Sequence, residues 1–175
     1  FPYTTLFRSK VEIGVVLQGG GALGAYEFGA LIALLELMDQ IESPGRSVRL
    51  TAVTGVSIGA INAACVVGAK DRADSRDRLR SLWSDLSLKT PQFLWAPLGR
   101  DLALFGVPGF YTPRRDFWNF FGWTYFYDTA PFLETLKTHV DFVSLNTSET
   151  AFVVTAVDVA SGELIRFRNH PYRDE

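Results

Sequence analysis

Cysteine is nearly absent from this chain: Cys65 is the only one in 175 residues. That excludes an internal disulfide framework and is compatible with a reducing compartment. Cys65 lies in an apolar helical run, so a packed, inert thiol is expected there rather than a nucleophile. Excess charge is also missing. Seventeen Lys and Arg face 19 Asp and Glu, a formal net charge of −2 with no basic cluster, so nothing points to nucleic acid. Long uncharged apolar runs are lacking too. The best of them, residues 58–69, falls short of the ~20 residues that span a bilayer, so no transmembrane segment is expected. No signal-peptide pattern is visible, and the expected location is the cytoplasm, with peripheral membrane contact left open. No metal and no cofactor is expected. Finally, the sequence contains no Asp-Gly dipeptide, an absence that matters once its motifs are read.

What is present is an ordinary globular balance, 47% hydrophobic and 21% charged residues, enough for one domain with a sizeable core. Residues 11–17 form a short β-branched run that reads as a buried strand. From Ala22 the apolar residues recur at helical spacing through Leu23, Tyr26, Ala30, Leu31, Leu34, Leu35 and Met38. "SPGRS" breaks this pattern at Pro44 and Gly45. A second strand is expected over residues 48–54, then a small-residue helix over 58–69 and an amphipathic helix over 71–88. Pro131 suits the first turn of a helix capped by Asp128 or Thr129 and running to about Val140. Two β-rich runs around residues 160–162 predict a hairpin. The strand–helix–strand–helix order predicts a parallel sheet with helices packed on its faces.

Between the first strand and helix lies "LQGGGALGAYEFGAL". Gly19, Gly21 and Gly24 fit G-x-G-x-x-G, the spacing of a dinucleotide loop. Glycine lets backbone N–H groups approach a ligand, and the helix start adds unpaired donors and partial positive charge. Such a loop holds an oxygen-centred negative charge, whether of a phosphate or of a reaction intermediate. The second strand ends in "TAVTGVSIGAINAA", where Gly55, Ser57 and Gly59 make G-x-S-x-G between a strand and a helix. A sharp turn there strains Ser57 and projects its hydroxyl from the carboxyl end of the sheet, while glycines on either side clear space for neighbouring backbone. A dinucleotide fold would place an acidic residue at this strand end, and Asp39, about the right count away, falls within the first helix. No Gly-Lys-Ser/Thr follows the glycines, so a P-loop fails as well. Both loops follow neighbouring parallel strands, which sets N–H groups near Gly20 and Gly21 beside Ser57 as an oxyanion hole facing a serine nucleophile.

"GGGALG" after one strand and "GVSIG" after the next resemble the patatin-like phospholipases, which are serine acyl hydrolases. "GAYEFGALIALLE" and "VVTAVDVASGELIRFRN" also resemble bacterial members, so the likeness covers roughly residues 11–169. It implies a three-layer αβα sandwich with a mainly parallel central sheet, its C-terminal part apparently lacking. It also implies hydrolysis of lipid or fatty-acyl esters by a Ser–Asp dyad. Ser57 matches the nucleophile, Gly19, Gly20, Gly21 and Gly24 the oxyanion loop, and Gly55 and Gly59 the nucleophile elbow. The family's dyad acid lies in an Asp-Gly-Gly or Asp-Gly-Ala motif that this chain does not contain, so the general base is expected beyond it and this piece alone is expected to be inactive. Gln18 and Leu23 stand where some members carry Asp and a basic residue, without touching the backbone donors.

Three residues are candidates to replace the missing base, each with a plainer role. Asp158 reads as a strand-end carboxylate closing a turn, His170 as a solvated histidine in a polar tail, and His139 as a favourable charge at a helix C-terminus or a polar surface group. Between Phe93 and Tyr127 lie thirteen aromatics. They are expected to form a small core of their own within an insertion at 90–128, and a lid or acyl-chain wall is the alternative. "FPYTTLFRSK" fits neither neighbouring pattern, so residues 1–10 are expected to be a non-native or disordered leader and 11–175 a partial domain. Two rival functions remain: a non-catalytic acyl-lipid-binding relative of the fold and, more weakly, a nucleotide-binding module.

Overall fold

In the computed structural model, residues 9–87, 107, 109–114 and 126–170 are described. A parallel ladder organises them. Strand β1 (Ser9–Leu17) pairs with β2 (Arg46–Val56), β2 pairs in parallel with β5 (Ala151–Val157), and β6 (Leu164–Arg168) closes the sheet as an antiparallel hairpin partner of β5. The order β1-β2-β5-β6 thus makes a mixed, mostly parallel sheet, the α/β class expected from the alternation of strands and helices. The hairpin lies where the two β-rich runs placed it. β1 begins at Ser9, two residues before the apolar run, because the Ser9 N–H donates to the Gly45 carbonyl and Ser9 and Lys10 pair with Arg46 and Ser47. The leader expected over residues 1–10 otherwise lies outside the described residues.

Helix α1 (Gly24–Ile41) carries the chain from β1 to β2 after a 3-10 turn over Gly21–Leu23. Helices α2 (Ile58–Val67) and α3 (Arg72–Leu86) follow β2. Leu31, Leu35 and Met38 of α1, Leu79 and Leu82 of α3 and most of α2 join Val48, Val53 and Phe152 of the sheet in one buried core. In α2 every residue but Ile61 is buried, which explains its small-residue composition: a helix apolar all round belongs between other elements. Cys65 sits in this core, and burial pushes its thiol up to about 12, so it is inert as expected.

By length and hydropathy residues Gly21–Ile41 would suffice to cross a bilayer, which a count of uncharged residues does not register because Glu27, Glu36 and Asp39 interrupt the run. The helix is nevertheless the β1–β2 crossover, with Leu31, Leu35 and Met38 at most 2% exposed in the core. Arg72 and Arg76 of α3 hold its far end through Asp39, each at 2.5 Å. The two guanidiniums, Arg76 foremost, keep the Asp39 carboxyl below the usual carboxylate range.

Two short strands, β3 (Thr112–Pro113) and β4 (Tyr127–Asp128), precede α4 (Ala130–His139). Pro131 lies in the first turn of α4, and the Asp128 carboxylate accepts from the Ala130 N–H at 2.9 Å. The one-and-a-half-turn helix α5 (Phe142–Thr147) has no counterpart among the elements expected from the sequence. Its Asp141 cap accepts from the N–H groups of Val143 and Ser144, but six residues are too few for periodicity to register. Most of the expected insertion at 90–128 lies outside the described residues. In the part that is described, Tyr111 packs against Tyr127 at 4.7 Å between centroids, while Phe110 lies edge-on to Phe132 of α4 at 4.9 Å.

Leu35 has no exposed surface at the centre of this core. Leu35→Ala should cost about 2–5 kcal/mol of unfolding free energy, read as a lower urea midpoint at unchanged m value.

Candidate active site

Leu17 and Gly55 are partners in the parallel ladder, so β1 and β2 release their loops at the same level of the carboxyl edge. Close approach of backbone to backbone shapes both loops. A Cβ on Gly59 would lie 2.4 Å from the Gln18 carbonyl oxygen, and one on Gly55 would lie 2.5 Å from the Ala60 nitrogen. Both are far inside contact distance, so only glycine lets the strand turn directly into α2 with the first loop packed against it. Between them sits Ser57 at φ 54°, ψ −125°, the only non-glycine residue at positive φ among those described. This is the strained elbow that the G-x-S-x-G spacing predicted.

A serine before a helix commonly caps it with its hydroxyl. Here the Ser57 side chain makes no capping bond, and it is the backbone carbonyl that accepts from Ala60 and Ile61 at 3.0 and 3.3 Å. The hydroxyl is left exposed at the N-terminus of a ten-residue buried helix, where developing negative charge is favoured.

The glycine loop lies directly against it. A Cβ on Gly19 would stand 3.2 Å from Ser57 Cβ. Gly21 has φ 56°, and the N–H groups of Gly19, Gly20 and Gly21 find no hydrogen-bond partner among the described residues. Gly24 has a different place. Its N–H donates to the Gly21 carbonyl inside the 3-10 turn, and a Cβ there would meet Ile58 Cγ1 at 2.5 Å and the Trp83 ring at 3.1 Å. Gly24 therefore lets α1 close onto α2 and α3, while the unpaired donors belong to the three preceding glycines.

The candidate bases are occupied elsewhere. Asp158 closes the β5–β6 turn, accepting from Ala160 and Ser161, and these bonds, those from Ser161 foremost, hold its carboxyl below the usual range. His170 bonds the Ser148 carbonyl before the amino end of β5, across the sheet from Ser57. His139 ends α4 as expected but is buried rather than at the surface, because its Nε2 meets Asp85 of α3 at 2.8 Å. Asp39 is engaged with arginines at the far end of α1.

An apolar cavity of about 430 Å³ opens beside the glycine loop, lined by Gly21, Ala22, Ala25, Ile58, Trp83 and Phe110 among others. Motif reading misses Asn62, which is fully buried five residues after Ser57 and hydrogen-bonds both α1 and α3. The signal is nonetheless in the sequence: a lone amide in a helix otherwise of small apolar residues.

With this geometry in place, the comparison with known families is decisive. A family model described as patatin-like phospholipase matches residues 15–175, nearly the whole chain. The chain belongs to that family, whose function at the general level is lipid acyl hydrolysis. No curated protein and no solved structure gives a significant match.

Holding a non-glycine residue at positive φ costs of order 1–3 kcal/mol. Ser57→Gly should therefore raise unfolding free energy by about 1 kcal/mol, while Ser57→Ala gives no gain. Denaturant midpoints of the two variants against the parent chain check this.

Proposed function

We propose that this chain carries the nucleophile and oxyanion loop of a serine-dependent lipid acyl hydrolase. The observation that carries the reading is Ser57 itself, strained, exposed, uncapped and in contact with a glycine loop that has unpaired N–H groups. Ser57 Oγ attacks the ester carbonyl, and the electron pair of the C=O bond moves onto oxygen. The N–H groups of Gly19, Gly20 and Gly21 stabilise that oxyanion, a contribution worth ~10²–10³ in rate for one such donor. Collapse of the intermediate expels the alcohol and leaves an acyl-Ser57 ester that water then hydrolyses.

The proton from Ser57 passes to a base that none of Asp158, His139 and His170 supplies, since each has other partners. We assign that role to the aspartate of an Asp-Gly motif, as the family likeness implies, which this sequence does not contain. The apolar cavity beside the loop suits the acyl chain, with Ile58 next to the nucleophile and Phe110 and Tyr111 of the aromatic segment forming one wall. Packing and wall-building are then two faces of the same rings. The glycine loop needs no nucleotide in this reading, and β2 ends in Gly-Val-Ser where a ribose-binding acid would stand.

In protein that also carries the Asp-Gly segment, an alkyl fluorophosphonate is expected to add one phosphonyl group to Ser57, located by peptide mass spectrometry, and Ser57→Ala should abolish the adduct. Ala25→Leu, which intrudes on the cavity, should slow a long-chain probe more than a short-chain one. Lipid binding by that longer protein without any Ser57 adduct would favour the non-catalytic acyl-lipid-binding reading instead.

A further inference from the structure

The three unpaired glycine N–H groups are useful to an oxyanion only if the loop carrying them is rigid, yet glycine is the residue least able to hold itself in place. Two polar side chains outside the glycine motifs grip this loop, one at each end. At its start, the Gln18 N–H donates to Glu27 Oε1 at 2.7 Å. At its end, Asn62 Nδ2 donates to the Gly24 carbonyl at 3.1 Å. Trp83 Nε1 donates to Asn62 Oδ1 at 2.9 Å, and because an indole N–H can only donate, it fixes which way the Asn62 amide faces. Trp83 is itself stacked on Phe28 of α1, with centroids 6.1 Å apart.

Neither group is cheap to keep. Asn62 is an amide with no exposed surface in a helix otherwise built for apolar packing. Glu27 is half-buried, and its Oε2 is buried with no hydrogen-bond partner among the described residues, so that oxygen gives up hydration with no bond in return. Polar groups retained against stability belong where geometry matters more than stability. Both of these act on the seven residues 18–24.

We infer that Glu27 and Asn62, the latter oriented by Trp83, are positioning residues that clamp the glycine loop at its two ends and so hold its N–H groups against Ser57. This rests on the hydrolase reading for its consequence in catalysis, but the clamp can be tested without it. A misplacement of about 1 Å in such a site can cost ~10²-fold in rate. The Ser57 phosphonylation rate, read in protein that carries the Asp-Gly segment, should accordingly fall roughly 10- to 100-fold in Glu27→Leu and Asn62→Leu. Glu27→Gln keeps the accepting oxygen and should stay within about twofold of the parent, since the bond it retains is a modest one of about 1 kcal/mol.

The experiment pairs that rate with backbone ¹⁵N order parameters of Gly19, Gly20 and Gly21 in the full 175-residue chain. Values near 0.85 in the parent and in Glu27→Gln, dropping below about 0.6 in the two leucine variants with α2 and β2 unchanged, are the expected result. Should Asn62→Leu fail to fold, Trp83→Phe keeps an aromatic ring at that place while removing the indole N–H that orients Asn62 together with part of the ring system, and the same loop loosening is expected. Unchanged glycine order parameters in the variants would overturn the clamp, as would a loss of order spread evenly over the sheet, which marks a general packing role. If the glycines loosen as expected but parent protein that carries the Asp-Gly segment shows no Ser57 adduct, the clamp stands and the hydrolase reading falls.

Discussion

Backbone approaching backbone without side chains between is the constraint on which the rest of this structure depends. Gly59 brings the start of α2 against the Gln18 carbonyl, and Gly55 lets β2 pass beneath it. Any Cβ at either place would push the two loops apart. Their closeness forces the tight turn, the turn forces Ser57 into positive φ, and that conformation presents the hydroxyl instead of letting it cap the helix. Strain at one residue is thus a consequence of packing at two others.

Around this contact the protein is arranged to prevent relaxation. The α2 helix is buried on nearly all sides by β2, α1 and α3, so the elbow cannot swing out. Gly24 allows α1 to reach Ile58, the residue after Ser57, and Asn62 ties the same carbonyl end of the loop to α2. Arg72 and Arg76 secure the far end of α1 through Asp39. The site is the junction of the first two crossovers, held by apolar packing beneath and by a few hydrogen bonds at the rim.

Much of this could be read from spacing. The strand–loop–helix units were legible because the glycine motifs sit between a β-branched run and a run at helical period, and the hairpin because two β-rich runs flank a turn. Boundaries shifted where a partner strand decided them: β1 starts at Ser9 because Arg46 and Gly45 receive it, which no local pattern records. Helix α5 was hidden by its length, and the buried place of His139 by the distance in sequence to Asp85. Gly24 fitted the spacing of a donor glycine, and only the neighbours Ile58 and Trp83 reveal it as a packing glycine.

By itself, then, the sequence determined the order of elements and the glycine-flanked turn at Ser57, because turn chemistry and periodicity are local properties of the chain. Only the tertiary structure decided which N–H groups are left unpaired, which candidate bases are engaged elsewhere, and that Glu27 and Asn62 hold the loop. Those are facts about residues brought together from different elements, and a donor is free or taken only with respect to what the fold sets beside it.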